Sequence, residues 1–454
     1  MASTPRSFPP IAQLQAQLAA GQPSSRELTE RALDAVSSSS EGAATFTTVH
    51  AQGARASADA IDTQRAAGVP LGPLAGIPIS IKDLFDEAGR TTLAGSRALD
   101  DAAPAAADCA VVARLRAAGA VIIGRTNMTE FAYSGLGLNP HYGTPRNPWD
   151  RERGRVPGGS SSGAAISVTD GMAAAAIGTD TGGSVRIPSA LCGLTGFKPT
   201  ARRVPISGVV PLSHSLDSIG PLALSVACCA LLDAVIAGEQ PREPSAAMLR
   251  GRRFWVPRGL AFDGVDNAVG TAFDDACRRL TAAGANLVDI DIPEFADLAR
   301  INRQGGFAAA EAWWWHADLI ARREADYDPR VASRIRRGQS ISAADYLTLL
   351  QERERWVAAV RSRLQGDLML MPTVPVLAPE IGPLERSDEA YGTSNLLLLR
   401  NPTLINFLDG CALSLPCHES GGAPVGLMLA GCNGQDQSVI DAGAAIQSLL
   451  PGAA

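Results

Sequence analysis

The chain has 454 residues, of which 46% are hydrophobic and 19% are charged, an ordinary composition for a soluble globular protein. Its formal net charge is −6, so it lacks the excess of lysine and arginine that nucleic-acid binding requires. We therefore expect no direct contact with nucleic acid. The eight cysteines form no Cys-x-x-Cys pair, which disfavours a zinc site and indicates buried free thiols in a reducing compartment.

The predicted elements begin with two short helices. Residues 10–20 place apolar side chains on one face, and Gly21 ends the pattern. Ser24 and Glu27 have the spacing of a capping box at the start of the second helix. Because residues 1–13 contain no apolar core of a secretory signal, we expect a cytoplasmic protein.

Strands and helices then alternate, which favours an α/β fold with helices on both faces of a sheet. The β-branched run 77–81 predicts a buried strand, Asp108 is expected to cap a helix, and 120–123 predicts the next strand. The longest apolar stretch, 219–237, contains a proline and an aspartate. We predict a buried helix there, beginning near Ser225, and no membrane span.

The second half repeats this alternation after a polar connection at 238–244. A long helix is predicted from Ser342 to about Leu364, with a cap formed by the residues that follow Ser342. The strands predicted here are 254–256, 287–290 and 368–371.

Only two of the forty basic residues are lysines, Lys82 and Lys198. Arginine stays protonated at any working pH, whereas a desolvated lysine can lose its proton and act as a base. Lys82 directly follows the apolar residues 77–81, which favours desolvation. On these residues alone, a structural lysine at a strand end, either ion-paired or with its ammonium group reaching solvent, is an equal alternative.

Two segments, 157–163 and 178–184, are rich in glycine and serine, which suits close approach of the backbone to a ligand. The first matches the Gly-x-Ser-x-Gly pattern of α/β-hydrolases, but the charged residues 151–155 before it do not form the strand that this motif needs. Two interpretations of this segment remain. It is either an inert linker or it carries a serine that a group other than histidine activates. The second segment suits a phosphate-binding nest or an oxyanion hole.

Together these segments resemble the amidase signature enzymes. The matching stretches are 76–83, 158–163, 178–188, 196–200, 213–220, 367–373 and 413–426. Their order, and the separation of Ser160 from Ser184, agree with the family pattern. The resemblance extends from about residue 70 to 440. It implies a large mixed central β-sheet flanked by helices on both faces.

The resemblance also implies one amidase domain over residues 1–454. Within it, 1–69 is an N-terminal helical segment and 70–237 is the signature core. The remaining residues, 238–454, form a C-terminal α/β part of the same sheet.

Residue roles follow from the resemblance. Lys82 matches the family's base, Ser160 the bridging serine behind a cis Gly159–Ser160 peptide, and Ser184 the nucleophile. The matching oxyanion-hole amides belong to Thr181, Gly182, Gly183 and Ser184. The residues that match supporting positions are Ser161, Asp180 and Arg186. No metal or organic cofactor is implied. The histidines expected to have only packing or solvated roles are His214, His316 and His418.

The implied activity is hydrolysis of a carboxylic amide to the acid and ammonia or an amine. An alternative within the family is a glutaminase of the kind that serves glutamyl-tRNA(Gln) amidotransferase as its A-type subunit, which works with partner subunits. A non-enzymatic phosphate-binding module explains neither Lys82 nor Ser160. We expect a small-molecule amide as the substrate and no membrane contact, and we leave a homodimer open.

The substrate pocket is the part that the sequence defines least. Aromatic residues are scarce, yet three consecutive tryptophans occur at 313–315, and Phe307 and Trp314 share a helix face. The candidate substrate-binding residues are Met128, Phe131, Tyr133, Phe307 and Trp314. From these we predict an uncharged primary amide with an aromatic or otherwise apolar acyl group.

Overall fold

The computed structural model describes residues 7–245 and 248–451. Residues 1–6, which begin the stretch predicted to lack a secretory signal, lie outside these ranges. Eleven strands form one sheet, in the order β1-β3-β2-β4-β6-β5-β10-β11-β9-β7-β8. In chain order they are β1 (Phe46–Val49), β2 (Pro78–Lys82), β3 (Val121–Thr126), β4 (Ala175–Asp180), β5 (Thr195–Lys198), β6 (Ser218–Ala223), β7 (Arg253–Pro257), β8 (Asn286–Ile290), β9 (Leu368–Pro372), β10 (Cys411–Pro416) and β11 (Gly426–Gly431).

Helices connect these strands within the described residues. They are α1 (Ile11–Ala19), α2 (Ser25–Ser38), α3 (Gly42–Thr45), α4 (Ala51–Ala66), α5 (Ala110–Ala117), α6 (Ser162–Thr169), α7 (Arg186–Cys192), α8 (Val226–Ala237), α9 (Asn267–Ala282), α10 (Glu294–Ile301), α11 (Gly306–Arg323), α12 (Pro329–Arg336), α13 (Ala343–Leu364), α14 (Ile381–Arg386), α15 (Asp388–Phe407) and α16 (Asp436–Gln447).

The sheet is mixed, as predicted. Strand β2 pairs in parallel with β3 and β4, and β7 pairs in parallel with β8 and β9. The other pairs are antiparallel. Because β2 and β4 are parallel neighbours, their carboxyl ends lie at the same edge, which brings the residues after Lys82 and those around Asp180 together.

Helices cover both faces of the sheet. Successive side chains of a strand point to opposite faces, and β9 shows this directly. Leu368 and Leu370 pack in the hydrophobic cluster that contains α8 and α16, whereas Met369 and Met371 pack with α13 and α15. Such burial on both sides explains the continuous apolar runs of the central strands.

Several local predictions are confirmed. Capping boxes begin α2 at Ser24 and α13 at Ser342, and Ser225 caps α8. The prediction for Asp108 was wrong, because Cys109 occupies the N-cap position of α5 without a side-chain cap. The Asp108 carboxylate instead accepts a hydrogen bond from the Ala88 amide and pairs with Arg116.

All eight cysteines are free, and all but the half-buried Cys277 are buried, as the sequence predicted. Among the described helices, none is both long enough and apolar enough to cross a membrane. The three expected segments, 1–69, 70–237 and 238–454, each contribute strands to the sheet. The division of the chain as one domain stays a prediction.

Candidate active site

Lys82 ends β2 and is completely buried. Its Nζ donates hydrogen bonds to Ser160 Oγ at 2.7 Å and to Thr179 Oγ1 at 2.9 Å. Thr179 lies on β4, the parallel neighbour of β2, so the sheet itself fixes this second contact. No carboxylate in the described part of the chain forms an ion pair with Lys82. Lys82 is therefore not the ion-paired structural lysine that the sequence left as an alternative.

Burial lowers the pKa of Lys82 from 10.5 to about 7, because an apolar environment disfavours the ammonium form. The negative charges of Asp217 and Asp180 act in the opposite direction and are the weaker influences. Near neutral pH a large fraction of Lys82 is therefore the neutral amine, which can accept a proton. The desolvation of Lys82 that the sequence predicted is present, since its side chain has no exposed surface.

Ser160 follows a cis Gly159–Ser160 peptide bond, which confirms the expectation drawn from the family resemblance. Its side chain is fully buried, and Lys82 Nζ is the one hydrogen-bond partner of its Oγ within the described residues. The hydroxyl thus keeps capacity for a second contact. No strand precedes Ser160, since Arg151–Arg153 form a short 3₁₀ turn, so the α/β-hydrolase elbow is absent here.

Ser184 lies in the loop between β4 and α7 and lines a cavity of about 270 Å³. Only 3% of its surface is exposed. Its Oγ forms no hydrogen bond with any residue that the structure describes, and Lys82 and Ser160 do not line the cavity. Ser184 is thus the member of the expected triad that a small molecule in the cavity would contact first.

A buried ion pair holds this loop. The Asp180 carboxylate pairs with Arg186, whose Nε and Nη2 lie 3.0 and 2.9 Å from its oxygens. Although burial acts to raise the pKa of Asp180, the Arg186 guanidinium, together with Lys198 and Asn406, outweighs it and holds that pKa well below its usual range. Asn406 donates to the same carboxylate at 2.9 Å and accepts from Arg186. Ser161, the third predicted supporting residue, does not hydrogen-bond to this ion pair. Its Oγ lies 3.4 Å from the Thr179 carbonyl oxygen.

Of the four loop amides predicted to form the oxyanion hole, three are unpaired within the described residues, and the oxyanion hole itself stays a prediction. The amides of Thr181, Gly182 and Ser184 have no acceptor among the described residues, which leaves them available to a ligand. The Gly183 amide instead donates to Asp180 Oδ1 at 2.8 Å. Gly183 has a φ of +128°, and a Cβ there would come within 2.6 Å of Pro402 Cβ, so the position requires glycine.

Two of the five predicted substrate-binding residues, Tyr133 and Phe307, line the cavity with Ser184. Arg334 and Arg337 line it as well, although no sequence pattern singled them out. The cavity therefore combines apolar surface with two cations, which differs from the apolar pocket expected from the sequence. None of the five histidines, all within the described ranges, lines it.

The other three predicted substrate-binding residues do not line this cavity, and their role in substrate binding stays a prediction. Met128 is fully buried. Phe131 packs its ring against His316 and Tyr327, with centroid distances of 4.4 and 5.1 Å. Trp314 is 69% exposed and contacts His214 on a separate surface groove. Phe307 and Trp314 share a face of α11, but Trp314 lies two turns further along the helix, about 10 Å away, which places it beyond the cavity.

Thr179 and Asp217 were not predicted as site residues. Thr179 contacts Lys82 directly. Asp217 accepts a hydrogen bond from Thr181 Oγ1, and burial raises the Asp217 pKa to about 6. Both lie inside segments that match the family pattern, so closer attention to polar residues there could have found them.

A wide mixed sheet with helices on both faces, and a glycine- and serine-rich loop at its strand ends, is the architecture of the amidase signature enzymes. The family model described as Amidase matches residues 27–440. The chain therefore belongs to the amidase family of amide-hydrolysing enzymes.

Individual relatives agree with this assignment. The chain is 38% identical to 2-amino-5-chloromuconic acid deaminase from Comamonas testosteroni, over 87% of this chain and 86% of that protein. It is 37% identical to the A-type subunit of glutamyl-tRNA(Gln) amidotransferase from Roseiflexus castenholzii, over 96% and 95% of the two chains. A crystal structure of an amidase superposes with a TM-score of 0.87 at 30% identity, covering 97% of this chain and 100% of the other.

Proposed function

We propose that this enzyme hydrolyses a carboxylic amide through an acyl-enzyme on Ser184, with Ser160 as proton relay and Lys82 as base. The observation that carries the proposal is the hydrogen bond between Lys82 Nζ and Ser160 Oγ, in a place where burial lowers the lysine pKa to about 7. A neutral amine held against a serine hydroxyl is the arrangement that general-base catalysis by lysine needs.

In the first half of the reaction, Ser184 Oγ attacks the amide carbonyl carbon. Ser184 passes its proton to Ser160 while Ser160 passes its own proton to Lys82. The negative charge that develops on the carbonyl oxygen is stabilised by the available amides of Thr181, Gly182 and Ser184. The tetrahedral intermediate carries the new C–O bond and the intact C–N bond.

The relay then runs in reverse. The ammonium of Lys82 returns a proton through Ser160 to the leaving nitrogen, the C–N bond breaks, and ammonia or an amine departs. The acyl group remains as an ester on Ser184. Water attacks this ester with the same base, and the acid leaves as the Ser184 hydroxyl re-forms. No step requires a cofactor.

Purified chain incubated with simple primary amides tests the proposal. We expect ammonia release, and with hydroxylamine present we expect the hydroxamate, because hydroxylamine competes with water for the acyl-enzyme. Ser184→Ala should abolish both products and retain the thermal transition of the wild type. Hydroxamate formation by Ser184→Ala at the wild-type rate would contradict the assigned nucleophile.

A second candidate function is that of an amidotransferase A-type subunit. It is favoured by the relative from Roseiflexus castenholzii, which matches nearly the whole chain. The two candidates differ in what the purified chain does alone. A standalone amidase turns over simple amides without a partner, whereas a subunit of this kind should prefer glutamine and be stimulated by partner subunits. We place either enzyme in the cytoplasm, because its cysteines are all free.

A further inference from the structure

We infer that the substrate carries a carboxylate on its acyl part, and that Arg337 and Arg334 bind it in the cavity beside Ser184. The inference rests on the proposed amide hydrolysis and adds the substrate class. It replaces the uncharged, apolar acyl group that the sequence suggested.

The first observation is the position of the two arginines. Arg334 lies in the last turn of α12 and Arg337 directly follows that helix, so the i, i+3 spacing puts both on one face. Both line the cavity that contains Ser184. The arginine between them in this run, Arg336, does not line the cavity and pairs with Glu324 instead.

The second observation is that these arginines have no acidic partner. Arg334 donates to the Tyr133 carbonyl at 2.5 Å and lies over the Tyr391 ring, and Arg337 donates to the Arg303 carbonyl at 3.2 Å. Neither forms an ion pair with an aspartate or glutamate in the described ranges. Among the residues that the structure describes, no aspartate or glutamate lines the cavity either. Arg334 is half-buried, where a cation without a counter-ion is costly, so an anionic ligand would be stabilising there.

A third observation concerns the neighbouring polar groups. Asn395 also lines the cavity, and its Oδ1 accepts hydrogen bonds from Ser134 Oγ and the Gly135 amide, each at 2.8 Å. Its Nδ2 has no partner in the described part of the chain, which adds a further donor to the lining. Two guanidinium groups without a carboxylate partner and an amide donor without an acceptor match a carboxylate better than a neutral acyl chain.

The cavity thus has two chemically different ends. Ser184 and the available amides suit the amide that reacts, and the arginines suit a carboxylate elsewhere on the same molecule. A volume of about 270 Å³ restricts the ligand to a small acid. The monoamide of a short dicarboxylic acid has this combination of groups, with one carboxyl converted to the scissile amide and the other left ionised.

The test compares amides that differ only in this charge. Ammonia release is measured for succinamate and glutaramate against butyramide and valeramide, in which a methyl group replaces the carboxylate. For the wild type we expect kcat/KM to favour the carboxylates by about tenfold or more. Equal rates, or a preference for the neutral amides, would overturn the inference while leaving amide hydrolysis intact.

Two arginine variants test which side chains produce the preference for amides that carry a carboxylate. Arg337→Gln and Arg334→Gln should each reduce the ratio of kcat/KM for succinamate to kcat/KM for butyramide by about tenfold, mainly through a higher KM for succinamate. Arg336→Gln, on the same segment but outside the cavity, is the matched control and should change neither rate. An unchanged preference in both Arg337→Gln and Arg334→Gln would contradict the assignment.

A binding measurement separates this inference from the proposed reaction. Succinamate is titrated calorimetrically into Ser184→Ala and into the same protein carrying Arg337→Gln. Binding that is at least about tenfold weaker in the second protein supports the carboxylate site even if no amide is turned over. Equal binding by the two proteins would count against the site even if amides are hydrolysed.

Discussion

At the scale of single residues, the proposed catalysis depends on whether Lys82 can accept a proton. The lysine is buried against Ser160 and Thr179, with no carboxylate contact in the described residues. An arginine at this position would keep the positive charge but could not act as a base. Substitution and pH therefore test the same property in independent ways.

Lys82→Arg should reduce kcat/KM as severely as Lys82→Ala, on the order of 10²–10⁴-fold, because both changes remove the base. Steady-state ammonia release measures the loss, and circular dichroism with thermal melting checks that the variants remain folded. The matched control is Arg336→Lys, an exposed exchange of the same two residue types. Substantial activity of Lys82→Arg at neutral pH would rule out lysine as the base.

The pH profile should rise as Lys82 loses its proton. Since the active form is the neutral amine, kcat/KM should increase as the pH rises through about 7, the lowered pKa of Lys82. Asp217 and Asp180 are the negative charges that stabilise its ammonium form. Asp217→Asn should therefore shift this acidic limb to lower pH. If the acidic limb of the kcat/KM profile of Asp217→Asn stays at the wild-type pH or moves to higher pH, a group other than Lys82 controls it.

At the scale of elements, the loop between β4 and α7 depends on the ion pair of Asp180 with Arg186. Both side chains have no exposed surface, and together they contact the loop amides and Asn406 on α15. A buried charge is tolerated when it is paired and hydrogen-bonded, so removing one partner leaves the other uncompensated.

Arg186→Met should therefore lower the free energy of unfolding by about 3–5 kcal/mol, measured by urea denaturation. The double variant Arg186→Met with Asp180→Leu should recover part of that loss, because it removes both charges. Arg153→Met, at an exposed ion pair with Asp150, is the control and should have little effect. A loss in Arg186→Met no larger than in this control would show that the pair does not support the loop.

At the scale of the whole molecule, a buried network joins the N-terminal segment to the sheet. Glu87 accepts from His50 Nε2 at 2.8 Å and from Arg125 Nε at 2.7 Å, and it also pairs with Arg116. Burial acts to raise the Glu87 pKa, but hydrogen bonding and charge from His50 and Arg125 outweigh it and lower that pKa to about 2.

Glu87→Gln should destabilise the protein by about 3–5 kcal/mol at neutral pH, because it removes the carboxylate nearest to buried Arg125, whose other ion pair, with Asp83, is longer at 3.6 Å. A lowered carboxyl pKa stabilises the fold above the unfolded value of 4.5, and this stabilisation is lost as the pH falls from there toward 2. The difference in the free energy of unfolding between Glu87→Gln and the wild type should therefore narrow as the pH falls from 4.5 toward 2. Glu324→Gln, at the exposed ion pair with Arg336, is the control. If the difference in the free energy of unfolding between Glu87→Gln and the wild type does not change with pH, the predicted role of Glu87 is contradicted.

The sequence by itself determined the features that depend on local spacing. Apolar runs predicted the central strands, and the capping boxes predicted the starts of α2 and α13, because both patterns lie within a few residues. The scarcity of lysine pointed to Lys82, and the family pattern added Ser160, Ser184 and the cis Gly159–Ser160 peptide bond. Those residues lie in segments whose spacing is distinctive.

Only the tertiary structure decided which side chains line the cavity. Trp314 and Phe307 share a helix and were predicted together, yet Phe307 lines the cavity and Trp314 is on the surface. Arg334 and Arg337 are ordinary members of an arginine-rich run until the fold places them beside Ser184. Side-chain surroundings depend on how distant elements pack, which periodicity and motif spacing do not encode, whereas strands and caps depend on neighbours along the chain.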